Sequence, residues 1–363
     1  MRIRLFAVRI DYRLVGKPAF FTMQLMGTQT NAPLPEGLEI GGYRVLKKIA
    51  SGGFSIVYLA QDTFGEEVAI KEYLPASLVK RAQGELVPVI PPEHLGTYRN
   101  GLRCFFEEGR SLARIQHPNV VRVQNFFRAN ETVYMVMAYE RGKSLQDIVL
   151  KYRRTATKGS RMVLPERHLR RIFLQVMNGL REVHTNRLLH LDVKPSNIYL
   201  RMDGTPMLLD FGAARQTLGE NNQRLFPMYT PGFAAPELYR KQQEFGPWTD
   251  VYGVGASMFA SIVGSPPQPA DQRFKGDRTQ EILESHKRAY SAAMVEIISW
   301  CLRLNPLERP QSVFAVQRVI RETHTSQKQE DKGTTVMRWF NTISAKTVVS
   351  DPSDSLMAVT TRS

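Results

Sequence analysis

The sequence predicts an α+β fold, with strand patterns in its first part and helical patterns in the rest. Residues 43–60 contain two runs of β-branched and aromatic residues on either side of a glycine-rich turn, and residues 132–137 are another such run. Residues 166–184 repeat apolar side chains at helical spacing, and most of residues 251–322 is apolar and helical in pattern. A β-rich part followed by a larger helical part is therefore expected.

Composition limits the class of protein. The chain has 363 residues, of which 23% are charged and 42% hydrophobic, as in soluble globular proteins with one large domain or two smaller ones. The net charge of +15 favours anionic partners, or only a generally basic surface. Cys104 and Cys301 are far apart, which indicates neither a disulfide framework nor a metal cluster and favours a reducing cytoplasm. There is no apolar run of about eighteen residues, so no membrane span is expected.

The strongest chemical signal is the stretch HLDVKPSN, followed by DFG. Phosphoryl transfer spreads charge over the phosphate oxygens, so cations and metal ligands must already be in place to receive it. Asp192 can accept the proton of an attacking hydroxyl, and Lys194 can contact the transferring group. Asn197 and Asp210 offer hard oxygen ligands of the kind that Mg²⁺ prefers. These four residues are therefore candidates for a phosphoryl-transfer site.

The spacing of these residues resembles the protein-kinase superfamily, and DVKPSN is similar to its serine/threonine branch. The alternative is a buried polar turn with a chance DFG. The resemblance implies a bilobal fold, in which a small antiparallel sheet with one regulatory helix lies over a larger, mainly helical lobe. The small lobe would cover about residues 41–138 and the large lobe about 141–322. ATP and Mg²⁺, with Mn²⁺ as an alternative metal, would bind between them.

Other motifs of the family recur in order. Residues 51–55 resemble the glycine-rich loop, although Ala50 and Ser55 replace its first and third glycines. Lys71 ends a VAIK-like strand and is assigned to the α- and β-phosphates. Glu108 lies on a helix expected over residues 105–116, where it would pair with Lys71. The resemblance implies a nucleotide-binding role for a larger set of residues, namely Ala50, Ser51, Gly52, Gly53, Phe54, Ser55, Val57, Ala69, Lys71, Glu108, Met137, Tyr139, Tyr199 and Asp210.

The activation segment resembles that of kinases acting on hydroxyl amino acids. Thr230, in YTPGF, would hydrogen-bond to Asp192 and Lys194 and so belong to the catalytic group. Glu237, in the APE motif, is expected to form a buried ion pair with Arg309. Asp250 would begin a helix and brace the catalytic loop, although its simpler interpretation is a helix cap.

One departure from the family pattern has a functional consequence. Leu191 occupies the position where most kinases carry an arginine that pairs with a phosphorylated activation loop. A leucine side chain cannot make that ion pair. We therefore expect activity that does not depend on phosphorylation at Thr217 or Tyr229 through this contact.

The flanking segments carry weaker signals. Residues 1–40 form a basic leader with a Pro/Gly linker, and residues 323–363 form a Ser/Thr-rich tail expected to be disordered. Residues 74–100 are longer than the usual connection and could contain an extra hairpin turning at residues 83–84, which is expected to be a surface loop rather than a docking insert for a partner. The basic loop at residues 151–161 is expected to be a solvated loop rather than a docking site for acidic substrates.

The sequence as a whole predicts an ATP-dependent serine/threonine protein kinase of bacterial signalling, acting on protein substrates and on itself. Phosphothreonine-binding proteins and phosphatases are the expected partner classes, with no specific nucleic acid. The first alternative is a pseudokinase that binds ATP without transferring its phosphoryl group. Leu191 and the loss of two glycines from the glycine-rich loop favour this alternative. A small-molecule kinase is disfavoured by Thr230 and the APE motif, which build a shelf for peptides.

Overall fold

The computed structural model describes residues 29–155, 164–211, 215–216, 229–240 and 244–325. The first 28 residues of the predicted leader, most of the predicted tail, Gly212 and Thr217 lie outside the described residues, as does the larger part of the basic loop at 151–161. The strands of the described part are β1 Glu39–Ile40, β2 Tyr43–Gly52, β3 Ser55–Gln61, β4 Glu67–Tyr73, β5 Val123–Ala129, β6 Thr132–Ala138, β7 Gly142–Ser144, β8 Leu188–Leu189, β9 Ile198–Arg201, β10 Pro206–Leu208 and β11 Arg215–Gln216.

The first six strands form one antiparallel sheet in the order β1-β2-β3-β4-β6-β5. Strands β2 and β3 are joined by a two-residue turn at Gly53 and Phe54, since Gly52 pairs with Ser55. The strand-turn-strand pattern predicted over residues 43–60 is thus present. A three-stranded sheet, β10-β9-β7, and the pair β11-β8 lie in the second lobe.

The register of the large sheet places several predicted nucleotide-binding residues on one face. Val57 pairs with Lys71, and Ala50 pairs with Val57. Ala69 pairs with Met137 on β6. Cross-strand partners point to the same face of a sheet, and residues two apart on a strand do so as well. This face is therefore the one that carries the Lys71 ammonium toward the second lobe.

The helices of the described part lie in the second lobe, except for the first, which packs on the six-stranded sheet of the small lobe. They are α1 Leu95–Leu112, α2 Leu145–Thr155, α3 Glu166–Thr185, α4 Pro247–Val263, α5 Ala270–Arg273, α6 Thr279–Glu284, α7 Ala292–Cys301 and α8 Val313–Thr325. Helix α4 is buried on nearly all sides and packs against α3 and α7, as expected for a helix without a continuous polar face. Among the described residues, no helix combines the length and the apolar character needed to cross a membrane.

Helix α1 is the one element of the small lobe whose bounds differ clearly from the prediction. The periodicity predicted a helix over residues 105–116, whereas α1 starts ten residues earlier, at Leu95, and ends at Leu112. Its first turns contain Gly96, Thr97 and Asn100, which give no apolar stripe to detect. Its end precedes His117-Pro118, where a proline disfavours helix in the residue before it.

Two segments assigned to peripheral roles are packed into the small lobe. Residues 29–40 are the described part of the predicted leader; they end in β1, and Leu34, only 4% exposed, packs with core residues of the sheet. The 74–100 segment turns at Gly84, where φ is 86°, and Lys80 and Val89 exchange backbone hydrogen bonds on the two sides of this turn. Arg81 within it is buried and pairs with Glu72 of β4. This segment is therefore more than a surface loop, because it places a charged group in the lobe's interior.

Candidate active site

Lys71 and Asp210 form an ion pair across the two lobes. Lys71 is on β4 and is 7% exposed, and Asp210 follows β10 with a φ of 54°. Burial by itself lowers the pKa of Lys71, but the negative charges of Asp210, Glu108 and Asp192 outweigh it and raise that pKa. Burial likewise raises the pKa of Asp210, and the neighbouring ammonium more than reverses this, so its pKa lies below the ordinary value. Both groups are charged at neutral pH.

Glu108 was expected to form an ion pair with Lys71, and the structure does not contain this pair. The Glu108 Oε1 atom is buried without a hydrogen-bond partner, and the lysine bonds to Asp210 instead. Burial raises the pKa of Glu108 to about 8, although the nearby Lys71 charge opposes the shift. Glu107 is exposed, as expected for a neighbour rotated by about 100° around the helix. The spacing thus identified the correct helix face but not the ion pair.

Asp192 is the centre of a group of hydrogen bonds. Its Oδ1 atom accepts from Thr230 Oγ1 at 2.9 Å, and its Oδ2 atom accepts from Asn197 Nδ2 at 3.0 Å. Lys194 Nζ lies 2.7 Å from Asp192 Oδ2 and donates to Thr230 Oγ1 at 2.8 Å. The predicted contacts of Thr230 with Asp192 and Lys194 are therefore present. The carboxylate is held in one orientation and remains at the surface, with a fifth of its side chain exposed.

The loop that carries Asp192 is braced from α4. Asp250 Oδ1 accepts the backbone N–H of Leu191 at 2.7 Å, and Oδ2 accepts that of His190 at 2.9 Å. His184 Nε2 lies 2.8 Å from the same Oδ2 atom. Leu191 has a φ of 61°, which is unfavourable for a residue with a side chain. The predicted bracing by Asp250 is thus confirmed, and it holds a strained backbone in place.

His190 connects this loop to the segment of Asp210. Its Nδ1 atom accepts the backbone N–H of Asp192 at 3.3 Å, so Nε2 carries the proton and donates to the Leu209 carbonyl at 3.1 Å. Burial lowers the pKa of His190, which keeps the imidazole neutral. Its ring lies 4.3 Å from that of Phe211, and Phe211 and Leu112 share the same core. The two chain segments that bear the candidate catalytic carboxylates, Asp192 and Asp210, are thereby packed together.

The remaining predicted nucleotide-binding residues line the edge between the lobes. Gly52, Gly53 and Phe54 form the tip of the β2–β3 hairpin. Tyr139 follows β6, and Tyr199 lies on β9 opposite Ser144. Burial raises the pKa of Tyr199, and the neighbouring Tyr139 raises it further. Their roles toward a nucleotide stay predictions.

The donor set near Asp210 fits Mg²⁺ held partly by phosphate. Among the described residues, no group of three or more His, Cys, Asp and Glu side chains is arranged to hold a metal ion. Mg²⁺ in phosphoryl-transfer sites is commonly bound by one or two protein oxygens, with substrate phosphates and water completing its shell. Asp210 supplies a carboxylate that is about half exposed. Asn197 uses Nδ2 on Asp192, which leaves its Oδ1 atom as a ligand.

A buried ion pair anchors the segment after Thr230. Arg309 Nη1 and Nη2 each donate to one oxygen of Glu237 at 2.8 Å, and neither side chain is exposed. Thr249 Oγ1 donates to the same carboxylate at 2.9 Å. The guanidinium also donates to backbone carbonyls of Arg303 and Leu304. The predicted pair is therefore confirmed, with its remaining polar groups satisfied as a buried pair requires.

Sequence reasoning did not find three residues that support this site. His184 bonds to Asp250 from α3. Arg81 and Gln29 bond to groups of the small lobe close to Lys71 and the glycine-rich hairpin. Only His184 gave a signal, since it lies at the end of the predicted helix that leads to the catalytic loop. The other two lie in segments of polar and turn-forming composition.

Comparison with known proteins shows which family shares these features. The protein kinase domain model matches residues 43–321. The serine/threonine-protein kinase STE20 of Candida glabrata is 28% identical over 274 residues, covering 74% of this chain and 26% of that protein. A probable serine/threonine-protein kinase, the KIN1 homolog of Encephalitozoon cuniculi, is 29% identical and covers 71% of this chain and 42% of that protein. The chain thus spans less than half the length of these relatives.

Solved structures give the same result. The structure titled PpkA-294, apo form, has a TM-score of 0.68 and 32% identity, covering 79% of this chain and 99% of that one. The Mycobacterium tuberculosis PknI kinase domain has a TM-score of 0.59 at 23% identity, covering 80% of this chain and 99% of that domain, and it supports the fold alone.

Proposed function

The chain belongs to the protein kinase domain family, and on this premise we propose that it transfers a phosphoryl group from ATP to serine and threonine hydroxyls of proteins. The observation that carries the proposal is the group around Asp192. A carboxylate, an ammonium, a carboxamide and a threonine hydroxyl converge there, each within 3.0 Å of its neighbour. Phosphoryl transfer asks for positioning and charge stabilisation, and this group supplies both.

Each residue has a distinct part in the proposed reaction. Asp192 orients the acceptor hydroxyl and accepts its proton, and Lys194 stabilises negative charge on the transferring group. Asn197 and Asp210 would hold Mg²⁺, which supplies further charge stabilisation when bound. Lys71, held beside Asp210, would contact the phosphates of ATP. Thr230 holds Asp192 and favours a serine or threonine acceptor.

A second function, nucleotide binding without transfer, is favoured by one specific observation. Glu108 does not pair with Lys71, so the lysine lacks the partner that the family pattern assigns to it. We rank this pseudokinase function second, because all four side chains are present, with Lys71 bonded to Asp210 and Asn197 bonded to Asp192.

The two functions are separated by a transfer assay with the full chain. We expect label from γ-labelled ATP with Mg²⁺ to enter casein or the chain itself, on serine and threonine in phosphoamino-acid analysis. Asp192→Asn should remove at least about 99% of the signal, since positioned general bases contribute about a hundredfold or more. Asp203→Asn is the matched control, because Asp203 bonds only locally, to Thr205 in an exposed turn. Binding of ATP without any transfer would favour the pseudokinase.

We further propose a setting in bacterial signalling, with autophosphorylation as one activity. The likeness to the PknI kinase domain, a bacterial protein by its title, supports this setting only through the shared fold. Neither Cys104 nor Cys301 is in a disulfide, which suits a reducing cytoplasm. Mass spectrometry of the chain expressed with and without Asp192→Asn would test autophosphorylation.

A further inference from the structure

We propose that residues 29–34, hereafter the N-terminal strap, clamp the glycine-rich hairpin, and that Gln29 is a positioning residue for ATP. The inference rests on the proposed function, because it assumes that the hairpin tip covers the phosphates of ATP. It assigns a role to a segment that lies before the matched residues 43–321.

Gln29 uses all its side-chain hydrogen-bonding groups to make the clamp. Its Nε2 atom donates to the carbonyl of Gly52 at 3.1 Å and to that of Leu74 at 2.8 Å. Its Oε1 atom accepts two hydrogen bonds from Asn31, one from the backbone N–H at 3.1 Å and one from the side-chain Nδ2 at 2.9 Å. Gly52 ends β2 at the hairpin tip, and Leu74 follows β4 directly. One amide thus joins the tip to the strand that bears the phosphate-contacting lysine.

The tip is held to the same segment by backbone bonds. Phe54 O accepts the backbone N–H of Leu74 at 2.8 Å, and Gly53 O accepts that of Ala76 at 2.8 Å. The carbonyls of three consecutive tip residues, from Gly52 to Phe54, are therefore all bonded to Gln29 or to residues just after β4. Glycines would otherwise leave this turn free to adopt many conformations.

The strap is in turn anchored in the interior of the small lobe. Asn31 Oδ1 accepts the backbone N–H of Arg81 at 2.7 Å, and the Ala32 carbonyl accepts from Arg81 Nε at 2.9 Å. Leu34 N donates to the Tyr58 hydroxyl at 3.1 Å. Arg81 pairs with Glu72, and neither side chain is exposed. A strap fixed at its centre can hold Gln29 in position.

The anchor lies directly behind the lysine of the site. Glu72 follows Lys71 on β4, so the two side chains point to opposite faces of the sheet. Glu72 also accepts from the hydroxyls of Tyr58 at 2.7 Å and Tyr134 at 2.9 Å. The strap therefore holds the hairpin to the strand that positions Lys71, which reduces the ordering needed when ATP binds.

The test uses the full chain and three variants. Gln29→Ala removes both donors, and Gln29→Glu keeps the length and the acceptor for Asn31 but cannot donate to the two carbonyls. Gln61→Ala is the matched control, because Gln61 Nε2 bonds at 3.3 Å to the Gly65 carbonyl of a different hairpin. We expect KM for ATP to rise about three- to tenfold in both Gln29 variants, the effect of losing one or two neutral hydrogen bonds, with kcat changed by less than about twofold.

Hydrogen–deuterium exchange without nucleotide tests the clamp apart from catalysis. The amides of Leu74 and Ala76, which donate to the tip, should exchange faster in the Gln29 variants than in the wild type and in Gln61→Ala. The inference is overturned if the Gln29 variants have the same amide exchange rates and the same KM for ATP as Gln61→Ala. It is also overturned if the Gln29 variants lower kcat and leave KM for ATP unchanged. A wild-type chain that fails to bind ATP refutes the proposed function instead, and the exchange result still decides on the clamp.

Discussion

Asp250 accepts the backbone N–H of Leu191 at 2.7 Å and so holds a non-glycine residue at a φ of 61°. The left-handed conformation costs a residue with a side chain roughly 1–2 kcal/mol. The buried carboxylate offsets that cost, because it also accepts from His190 and contacts His184. Although burial by itself raises the pKa of Asp250, its bond to His184 and the charges around it lower that pKa below its ordinary value. The orientation of Asp192, which lies in a loop, thus depends on a residue of helix α4.

Replacing Asp250 should therefore impair both stability and transfer. Asp250→Ala leaves two backbone donors unpaired and releases the strained loop, and we expect a loss of about 3 kcal/mol in the free energy of unfolding. Transfer should fall at least about tenfold in variant protein that remains folded. Urea unfolding and the transfer assay measure the two effects. If Asp250→Ala has the rate and the stability of the wild type, the hydrogen bonds from the loop to Asp250 contribute to neither.

Breaking the buried pair of Glu237 and Arg309 should destabilise the large lobe strongly. Arg309→Ala leaves a buried carboxylate without its partner, which typically lowers the free energy of unfolding by about 3–5 kcal/mol. Arg318→Ala serves as the matched control, because Arg318 and Glu322 form an exposed pair at 3.7 Å. Urea denaturation should show a large shift for the first variant and little for the second. Similar midpoints for the two would contradict the buried-pair argument.

Removing the hydroxyls of Thr217 and Tyr229 should leave the transfer rate within about threefold of the wild type, a change of less than 1 kcal/mol in the barrier. The reason is Leu191, whose buried apolar side chain cannot pair with a phosphate. Thr217→Ala with Tyr229→Phe is the suitable double variant, since the Tyr229 ring packs at 4.2 Å on that of Tyr239 and phenylalanine keeps this contact. Initial rates with casein measure the effect, and a hundredfold loss would refute the expectation.

Glu108 predicts a pH dependence of stability with a definite sign. Its pKa is about 8 in the folded chain against an ordinary value of 4.5, so the folded state keeps a proton that the unfolded state loses between these pH values. The stability of the wild type relative to Glu108→Gln should therefore fall as pH rises from 4.5 to about 8, and then stay constant. Urea midpoints across this range measure it.

Glu107→Gln is the control for this pH dependence, because Glu107 is the exposed neighbour on the same helix. Its stability difference from the wild type should not change with pH in this way. If the stability of the wild type relative to Glu108→Gln does not fall across this pH range, the carboxyl of Glu108 is charged in the folded state. A relative stability that rises with pH would show in addition that the charged carboxylate has a partner.

Motif order and local periodicity predicted much of the fold and of the site. The α3 helix and the β2–β3 hairpin follow from residue patterns, and the contacts of Asp192, Thr230 and Asp250 follow from the resemblance. The start of α1 could not be predicted, because a helix that begins with glycine and polar residues depends on packing for its stability. The burial of Arg81 was missed for a similar reason, since its partner Glu72 is recognisable only once the strand faces are known.

The amino-acid sequence alone determined the family of this chain and the chemical identity of its candidate site, because the types and order of Lys71, Asp192, Asn197 and Asp210 are local facts. Tertiary structure alone decided which charges meet. It pairs Lys71 with Asp210 and leaves the Glu108 Oε1 atom buried without a hydrogen-bond partner, and it brings Gln29 to the hairpin tip. The physical reason is that ion pairs and hydrogen bonds between distant residues depend on which surfaces pack together. Local spacing does not contain that information.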